Sequence, residues 1–577
     1  MSKIAYRIEI EDAHAHLFRV TLTVPQPAPA QRLSLPVWVP GSYMVREFGR
    51  HLSGLSARQG RRAVALMQLD KTSWQAACTG RSALTVSYLV YAFGTSVRAA
   101  FLDARRGFFN GTSVFLRVEG REGEPQQLQI GALPAGWQLA TSLVPADGVQ
   151  TFEAADYAEL IDHPVELGPF WRGQFSAAGV AHEFVVAGAL PGFDGDRLLA
   201  DARRICEAQI LFWHGAGRPP FQRYVFLLNT VEDGYGGLEH RASTALIANR
   251  RDLPRAGATE ASDGYHTLLG LISHEYFHAW NVKRMKPREF AQLDLGRENY
   301  TGLLWFFEGF TSYYDDLTLR RAGLIDPQRY LRLLAKAANG IAGTPGRRVQ
   351  SVAQASFDAW VKYYRADENT PNATVSYYGK GALVALCLDL TLRAAGRGSL
   401  DEAMRLLWQR SGGGAIDEAD IAQALHDIAG RSLKAELDAW VHGTDDLPVE
   451  PLLARFGIER QADAVGLAPT LGLRLSEGPV SGVQVKSVLR GSAAERAGIS
   501  AGDELLAVDG WRIRRLDDAR QWLAEGRPFE LLAVRDQRVL HLQVQPPAAP
   551  AAPSASFVLA DRPGRAALAL RRAWLGA

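Results

Sequence analysis

The sequence predicts a multidomain α+β protein, with a β-sandwich at the N-terminus, a mixed segment, a largely helical region and a small β-rich module near the C-terminus. Three observations carry that prediction. The chain has 577 residues, more than one core accommodates, since domains usually run to roughly 100–200 residues. Two-residue alternation dominates up to about Leu167, and helical periodicity dominates from Tyr265 to about His442. Apolar residues make up 47% and charged residues 22%, the balance of a folded chain.

Strand alternation is clearest in Tyr6-Arg7-Ile8-Glu9-Ile10 and in Phe18-Arg19-Val20-Thr21-Leu22-Thr23-Val24, between Pro- and Gly-rich turns. Within this region the segments Trp38-Val39-Pro40-Gly41-Ser42-Tyr43 and Gly107-Phe108-Phe109-Asn110-Gly111 concentrate aromatic and turn-forming residues, read as packing and turn elements. After Asp162-His163-Pro164 come strands at Glu183–Ala187 and Tyr224–Leu228 and a helix from Asp196 to Trp213. Helices are then expected at Tyr265–Val282, Leu303–Arg321, Pro327–Ala338, Gly379–Ala395 and Asp417–Ile428. Past Leu447 the pattern returns to strands, until the run Pro546-Pro547-Ala548-Ala549-Pro550-Ala551-Ala552-Pro553 reads as a stiff linker or disordered tail, with a short helix at 566–577.

The bulk numbers exclude several classes of function. Lys plus Arg number 64 against 62 Asp plus Glu, a formal charge of +2, so no long-range field draws in nucleic acid or an anionic membrane. Cys78, Cys206 and Cys387 are far apart and odd in number, which points to buried thiols rather than a disulfide framework or a thiolate zinc site. The N-terminal residues carry no secretion pattern and no run of about 18 apolar residues occurs, so a cytoplasmic protein with no membrane span is the expectation.

The chemistry-bearing string is His274-Glu275-Tyr276-Phe277-His278, set in the apolar-periodic segment Leu268, Leu269, Leu271, Ile272, Phe277. Residues four apart share one helix face, so both imidazoles can converge on one ion with Glu275 beside the open coordination position. Zinc at a catalytic site takes three protein ligands and keeps a fourth position for water, whose pKa falls to about 7. One zinc per chain is expected, with Glu275 as general base towards that water. Chance alone produces HExxH on the order of once or twice per hundred such chains, so context must decide.

The third ligand should come from a nearby element. Glu308 in Leu304-Trp305-Phe306-Phe307-Glu308-Gly309-Phe310-Thr311 is an acid embedded in aromatics, costly to bury ionised unless paired or metal-bound. Glu298 and Asp294 are rivals by position, in a polar stretch where solvated side chains are expected.

Taken together, His274–Asn281 (HEYFHAWN), Leu304–Tyr314 (LWFFEGFTSYY) and Tyr378-Gly379-Lys380-Gly381 resemble the glycyl aminopeptidase family, PDZ-bearing relatives of the alanyl aminopeptidases. Here 29 residues separate His278 from Glu308, longer than in the alanyl relatives and similar to the glycyl family. The resemblance implies a zinc aminopeptidase acting on peptides with a free N-terminus, with small residues such as Gly or Ala preferred there. Tyr235-Gly236-Gly237-Leu238-Glu239-His240 looks like the family's exopeptidase strand: Gly236 and Gly237 let substrate approach the backbone, and Glu239 binds the free amine. His240 stands where the alanyl relatives usually carry Asn. Tyr378 resembles the tyrosine whose hydroxyl stabilises the tetrahedral oxyanion, with Tyr377 as its neighbouring alternative.

Val488–Ile499 and Gly502–Gly510 look like the core of a PDZ domain, with a helix from Leu516 to Ala524 flanking its groove. Such a domain adds a peptide to a sheet edge and caps its C-terminal carboxylate in backbone amides, here those of Leu471-Gly472-Leu473. The alternative is a module that only packs against the peptidase body. The expected organisation is a β-sandwich over 1–167, a thermolysin-like catalytic domain over 168–345, a helical domain over 346–450 completing the active site, a PDZ domain over 456–546 and a Pro/Ala-rich tail over 547–577. The rival functions are a catalytically idle PDZ scaffold and a zinc hydrolase of a non-peptide substrate.

Overall fold

In the computed structural model, which describes residues 3–524, 526–547 and 554–576, the chain is multidomain α+β. It divides into two compact units: Met1–Tyr300 with Arg321–Leu324 and Met404–Asp417, and Thr301–Arg320 with Ile325–Ala403 and Glu418–Ala577.

The first unit opens with an eight-stranded sheet and two four-stranded sheets around one core. The alternation read in Leu17–Val24 is realised there: Phe18, Val20, Leu22 and Val24 are buried and the residues between them are not. That strand pairs antiparallel with Ile4–Asp12 and with Leu84–Tyr91, so its inward face is shared by three neighbouring strands.

A five-stranded mixed sheet follows, made of β1 (Trp171–Ala177), β2 (Val180–Ala187), β3 (Arg223–Val231), β4 (Gly236–Glu239) and β5 (Ser243–Asn249), in the order β1-β2-β3-β5-β4. The central strands β2, β3 and β5 run parallel and read as continuous apolar runs because both faces are covered. Val185, Val225, Leu227, Leu238 and Ala245 belong to the same core as the N-terminal sheets. Against this fold pack two helices, α1 (Gly195–His214) and α2 (Asp263–Phe277). Tyr276 of α2 stacks on Phe226 of β3, which stacks in turn on Phe184 of β2.

His182 on β2 is a buried member of this layer. Its Nδ1 donates to the Val180 carbonyl at 2.9 Å, which leaves Nε2 to accept from the Tyr276 hydroxyl at 2.9 Å. Burial is the main cause pushing its pKa down to about 4. The neutral form is favoured in the fold while the unfolded chain takes up the proton near the ordinary histidine value, so this stabilisation is complete above about pH 6.5 and is lost as pH falls towards 4. We expect urea midpoints to drop between pH 7 and 5, on the order of 3 kcal/mol being at stake over the full range, and His182→Phe to flatten that slope.

The second unit is helical, then β-rich. The helix expected over Leu303–Arg321 is broken at Glu308 into α3 (Leu304–Phe307) and α4 (Gly309–Arg321). The longest helix that follows, α5 (Tyr377–Ala394), starts two residues before the expected Gly379, with the Ser376 side chain accepting from Gly379 N as its cap. Its crossing with α3 and α4 is close. A Cβ on Gly309 would lie 2.5 Å from Gly381 Cα, and one on Gly381 would lie 2.4 Å from the Trp305 carbonyl oxygen.

The PDZ sheet comprises β6 (Leu473–Gly478), β7 (Gly482–Val488), β8 (Glu504–Val508), β9 (Phe529–Arg535) and β10 (Arg538–Val544), with β6 at one edge. Its flanking helix is a short 3₁₀ turn over Leu516–Gln521, whose first amide donates to Glu477 Oε1 on β6 at 2.9 Å. The domain is tied to the helical part of its unit: buried Asn372 donates to the Val488 carbonyl at 2.9 Å and accepts from Arg490 N at 2.8 Å. Arg474 on β6 adds a hydrogen bond to Thr344 Oγ1 at 2.8 Å.

The greater part of the Pro/Ala run, 548–553, lies outside the described residues. Beyond it the chain adds structure: Ala555–Leu559 pairs antiparallel with Ile458–Ala462, and a helix over Arg565–Leu575 buries Trp574 beside Tyr330 and Phe456. Among the described residues the three cysteines are buried and unpaired, and no helix is long and apolar enough to cross a membrane.

Candidate metal centre and substrate edge

Helix α2 starts at Ser262, whose Oγ accepts from Tyr265 N, and carries His274 and Glu275 in its last turn. The next residue after the helix, His278, keeps helical geometry, and its Nδ1 donates to the Asn281 carbonyl at 2.7 Å. That bond fixes the tautomer and leaves Nε2 to serve as the ligand atom. The two Nε2 atoms stand 3.1 Å apart with their rings nearly perpendicular, at 83°. Two nitrogens about 2.05 Å from a tetrahedral ion lie about 3.3 Å from each other, so the pair fits one zinc. Glu308, the third ligand expected from sequence, belongs to the second unit.

Glu308 is buried at the break between α3 and α4, its amide donating to the Leu304 carbonyl at 2.8 Å. The break follows from the packing: Gly309 has to meet α5 at backbone contact distance, which positions the preceding residue. The rivals sit elsewhere in local polar structure. Asp294 is exposed and accepts from Gly296 N, and Glu298 accepts from the Tyr300 hydroxyl.

Glu275 is also buried, and strand β4 makes room for it. A Cβ on Gly237 would come within 2.2 Å of the Glu275 carboxyl, so only glycine fits there. Gly236 has φ of +154°, a region glycine alone takes without strain. Two residues on, Glu239 is buried under the loop Val39–Tyr43: Gly41, at φ +88°, approaches so closely that a Cβ would lie 2.3 Å from Glu239 Oε1. Sequence reading took that Pro-Gly turn as packing only; the signal for its role was present in the unusual Trp-Val-Pro-Gly-Ser-Tyr string.

His240 points away from any substrate role. Its Nδ1 lies 3.2 Å from Asp162 Oδ1, and Asp162 also receives Lys283 Nζ at 2.6 Å and Arg241 N at 2.9 Å. Burial opposes ionisation of Asp162, but Lys283 and His240 outweigh it and hold the carboxyl well below its usual range. This buried ion cluster pins the end of β4.

At the start of α5 the two tyrosines differ. Tyr377 is fully buried, whereas Tyr378 is half-exposed with its hydroxyl 3.0 Å from that of Tyr364. The Tyr363 ring lies tilted 4.9 Å from that of Tyr377 and 5.6 Å from that of Tyr378, and its hydroxyl accepts a hydrogen bond from Ser376. Burial, with the nearby Glu308 charge, raises the Tyr363 pKa. Tyr363 and Tyr364 were not singled out from sequence; they lie in and just after a π-helical segment, Ala359–Tyr363, of a kind that recurs at functional sites.

In the PDZ domain Gly472 adopts φ +77° between buried Leu471 and Leu473, with Ser492 so near that a Cβ would meet it at 2.2 Å. Its amide donates to the Pro469 carbonyl at 3.1 Å.

Residues 5–169 match the Peptidase M61 N-terminal domain, 267–384 match M61 glycyl aminopeptidase, and 484–535 match a PDZ domain. A solved aminopeptidase N family protein from Idiomarina loihiensis is 36% identical, covering 99% of this chain and 100% of that one at a TM-score of 0.93. A Clostridium perfringens protein provisionally named a zinc metalloprotease is 42% identical over 78 residues, 13% of this chain, so the match spans 23% of that relative. An M1 zinc metallopeptidase from Deinococcus radiodurans is 14% identical over 78% of this chain and 96% of its own, with a TM-score of 0.47. Fold and family together define a zinc metallopeptidase of the aminopeptidase class. The chain belongs to the M61 glycyl aminopeptidase family.

Proposed function

We propose that this chain removes small N-terminal residues, Gly or Ala, from peptides, using one zinc held by His274, His278 and Glu308. The observation that carries the reading is the pair of imidazole Nε2 atoms of His274 and His278, 3.1 Å apart as two ligands of one ion stand, with buried Glu275 next to His274 on α2. Zinc at such a set of ligands polarises a carbonyl and makes water a nucleophile near neutral pH. Glu275 takes the proton from the attacking water and returns it to the leaving amine. Tyr378, the more exposed of the tyrosine pair, donates to the oxygen on which charge develops.

Exopeptidase character rests on β4. Side chains two residues apart share one face of a strand, about 7 Å along it. Glu239 therefore lies on the same face as Gly237, the position against which Glu275 packs. An amine bound at Glu239 leaves the first peptide bond, and no later one, facing Glu275. The loop packs against the Glu239 carboxylate at Gly41, an arrangement that suits a subsite ending at a free amine.

The same reading takes the PDZ groove beside Leu471, Gly472 and Leu473 as a site for a peptide C-terminus, with β6 as the accepting edge. The decisive experiment is a panel of aminoacyl p-nitroanilides run on zinc-loaded and chelated protein, with zinc counted by mass spectrometry. Glycyl and alanyl anilides should be turned over fastest, with one zinc per chain, and chelation should abolish turnover. Turnover insensitive to chelator, or a preference for large residues, would overturn the corresponding part.

A further inference from the structure

The register of the β4–β5 hairpin determines which backbone groups of β4 are free. His240 N donates to the Ser243 carbonyl, so 240 and 243 form a hydrogen-bonded pair. The ladder runs 239↔244, 238↔245, 237↔246. Hydrogen-bonded and non-bonded pairs alternate in an antiparallel ladder, so Gly237 and Glu239 turn their N–H and C=O groups away from β5. Strand β4 is also the edge of its sheet. Those four groups are what an extended peptide would meet.

One of them already carries a cation. Arg98, delivered by the loop after Phe93, donates from Nη2 to the Gly237 carbonyl at 2.9 Å. It is half-buried and its Nε is buried without a hydrogen-bond partner. Among the described residues no carboxylate pairs with it, whereas partly buried Arg106 holds one and Arg393 holds two. A guanidinium placed on a carbonyl beside a substrate edge, with donors to spare, is prepared for an anion.

We propose that Arg98 binds the terminal carboxylate of a dipeptide whose amine sits on Glu239, so that free dipeptides are the favoured substrates. This rests on the aminopeptidase reading of Glu239 and the metal centre. The spacing supports it: Glu239 and Gly237 are two residues apart, about 7 Å, the span of an extended dipeptide from amine to carboxylate. A carbonyl oxygen accepts two hydrogen bonds, so Gly237 can hold Arg98 and the substrate N–H together. A longer peptide has no charge at that point and leaves the guanidinium uncompensated.

The test compares kcat/KM for Ala-Ala and for its C-terminal amide, on the zinc-loaded full chain and on Arg98→Gln and Arg98→Lys. The wild type should prefer the acid by about tenfold or more, the worth of one charge-assisted, two-pronged contact. Arg98→Gln should remove that preference, chiefly through KM, and Arg98→Lys should keep part of it. A wild type without the preference, or an Arg98→Gln variant that loses activity on acid and amide in proportion, overturns the proposal, since the latter marks Arg98 as a support for the strand. Alanyl anilide, which has no carboxylate, reports separately on the underlying reading: a wild type inactive on it overturns aminopeptidase function rather than the role of Arg98.

Discussion

Replacing Glu275 by glutamine is expected to leave zinc bound and to lower turnover of alanyl anilide by about two to four orders of magnitude, the usual worth of a positioned general base. Glutamine preserves the size of the side chain, which matters because the carboxyl fills the space left by Gly237. The proposed ligands His274, His278 and Glu308 are untouched, so zinc content by mass spectrometry should match the wild type. KM should move little, because Glu275 acts on the water and the leaving amine rather than on the substrate's amine. A zinc-replete variant that kept turnover within tenfold would remove Glu275 from the chemistry.

Glu308→Gln separates the metal from the proton transfer. An amide is a far poorer zinc ligand than a carboxylate, and changes around zinc sites cost about 10–100-fold in affinity even one shell further out. We expect zinc affinity to fall by about 100-fold or more, with activity lost in parallel and partly recovered at high added zinc. A thermal readout makes the point without any assay of turnover. Zinc that binds the folded state raises the wild-type melting temperature by mass action, and the variant should show little of that rise at the same concentration. Equal zinc-induced shifts in both proteins would exclude Glu308 as a ligand.

These two experiments bear on residues that the sequence singles out as candidates. The His-x-x-x-His spacing is a local property of one helix, and the expense of burying an acid among Phe306, Phe307 and Phe310 is a local property of composition. Alternating and helical periods likewise placed the strand Leu17–Val24 and the helix Gly195–His214 to within a residue or so. What escaped was set by distant contacts. The break at Glu308 exists because Gly309 meets Gly381, 72 residues on. Gly41 closes over Glu239 from nearly 200 residues upstream, and Arg98 reaches Gly237 across a separation of 139. No window of sequence contains both partners of such contacts. The strand at Ala555–Leu559 was hidden differently, behind a Pro/Ala run whose composition suggests a tail, while its pairing partner Ile458–Ala462 lies almost 100 residues earlier.

The Gly309–Gly381 crossing has a consequence for how this molecule can be altered. Because two main chains touch there with no side chains between them, the distance from Glu308 to the first turn of α5 is a fixed gauge rather than an adjustable fit. Pocket walls can be rebuilt residue by residue to accept new peptides, while this gauge tolerates no such gradual tuning. Engineered variants should therefore diversify around Arg98 and treat the two glycines as immovable, much as a toolmaker changes the jaws of a clamp and leaves its hinge pin alone.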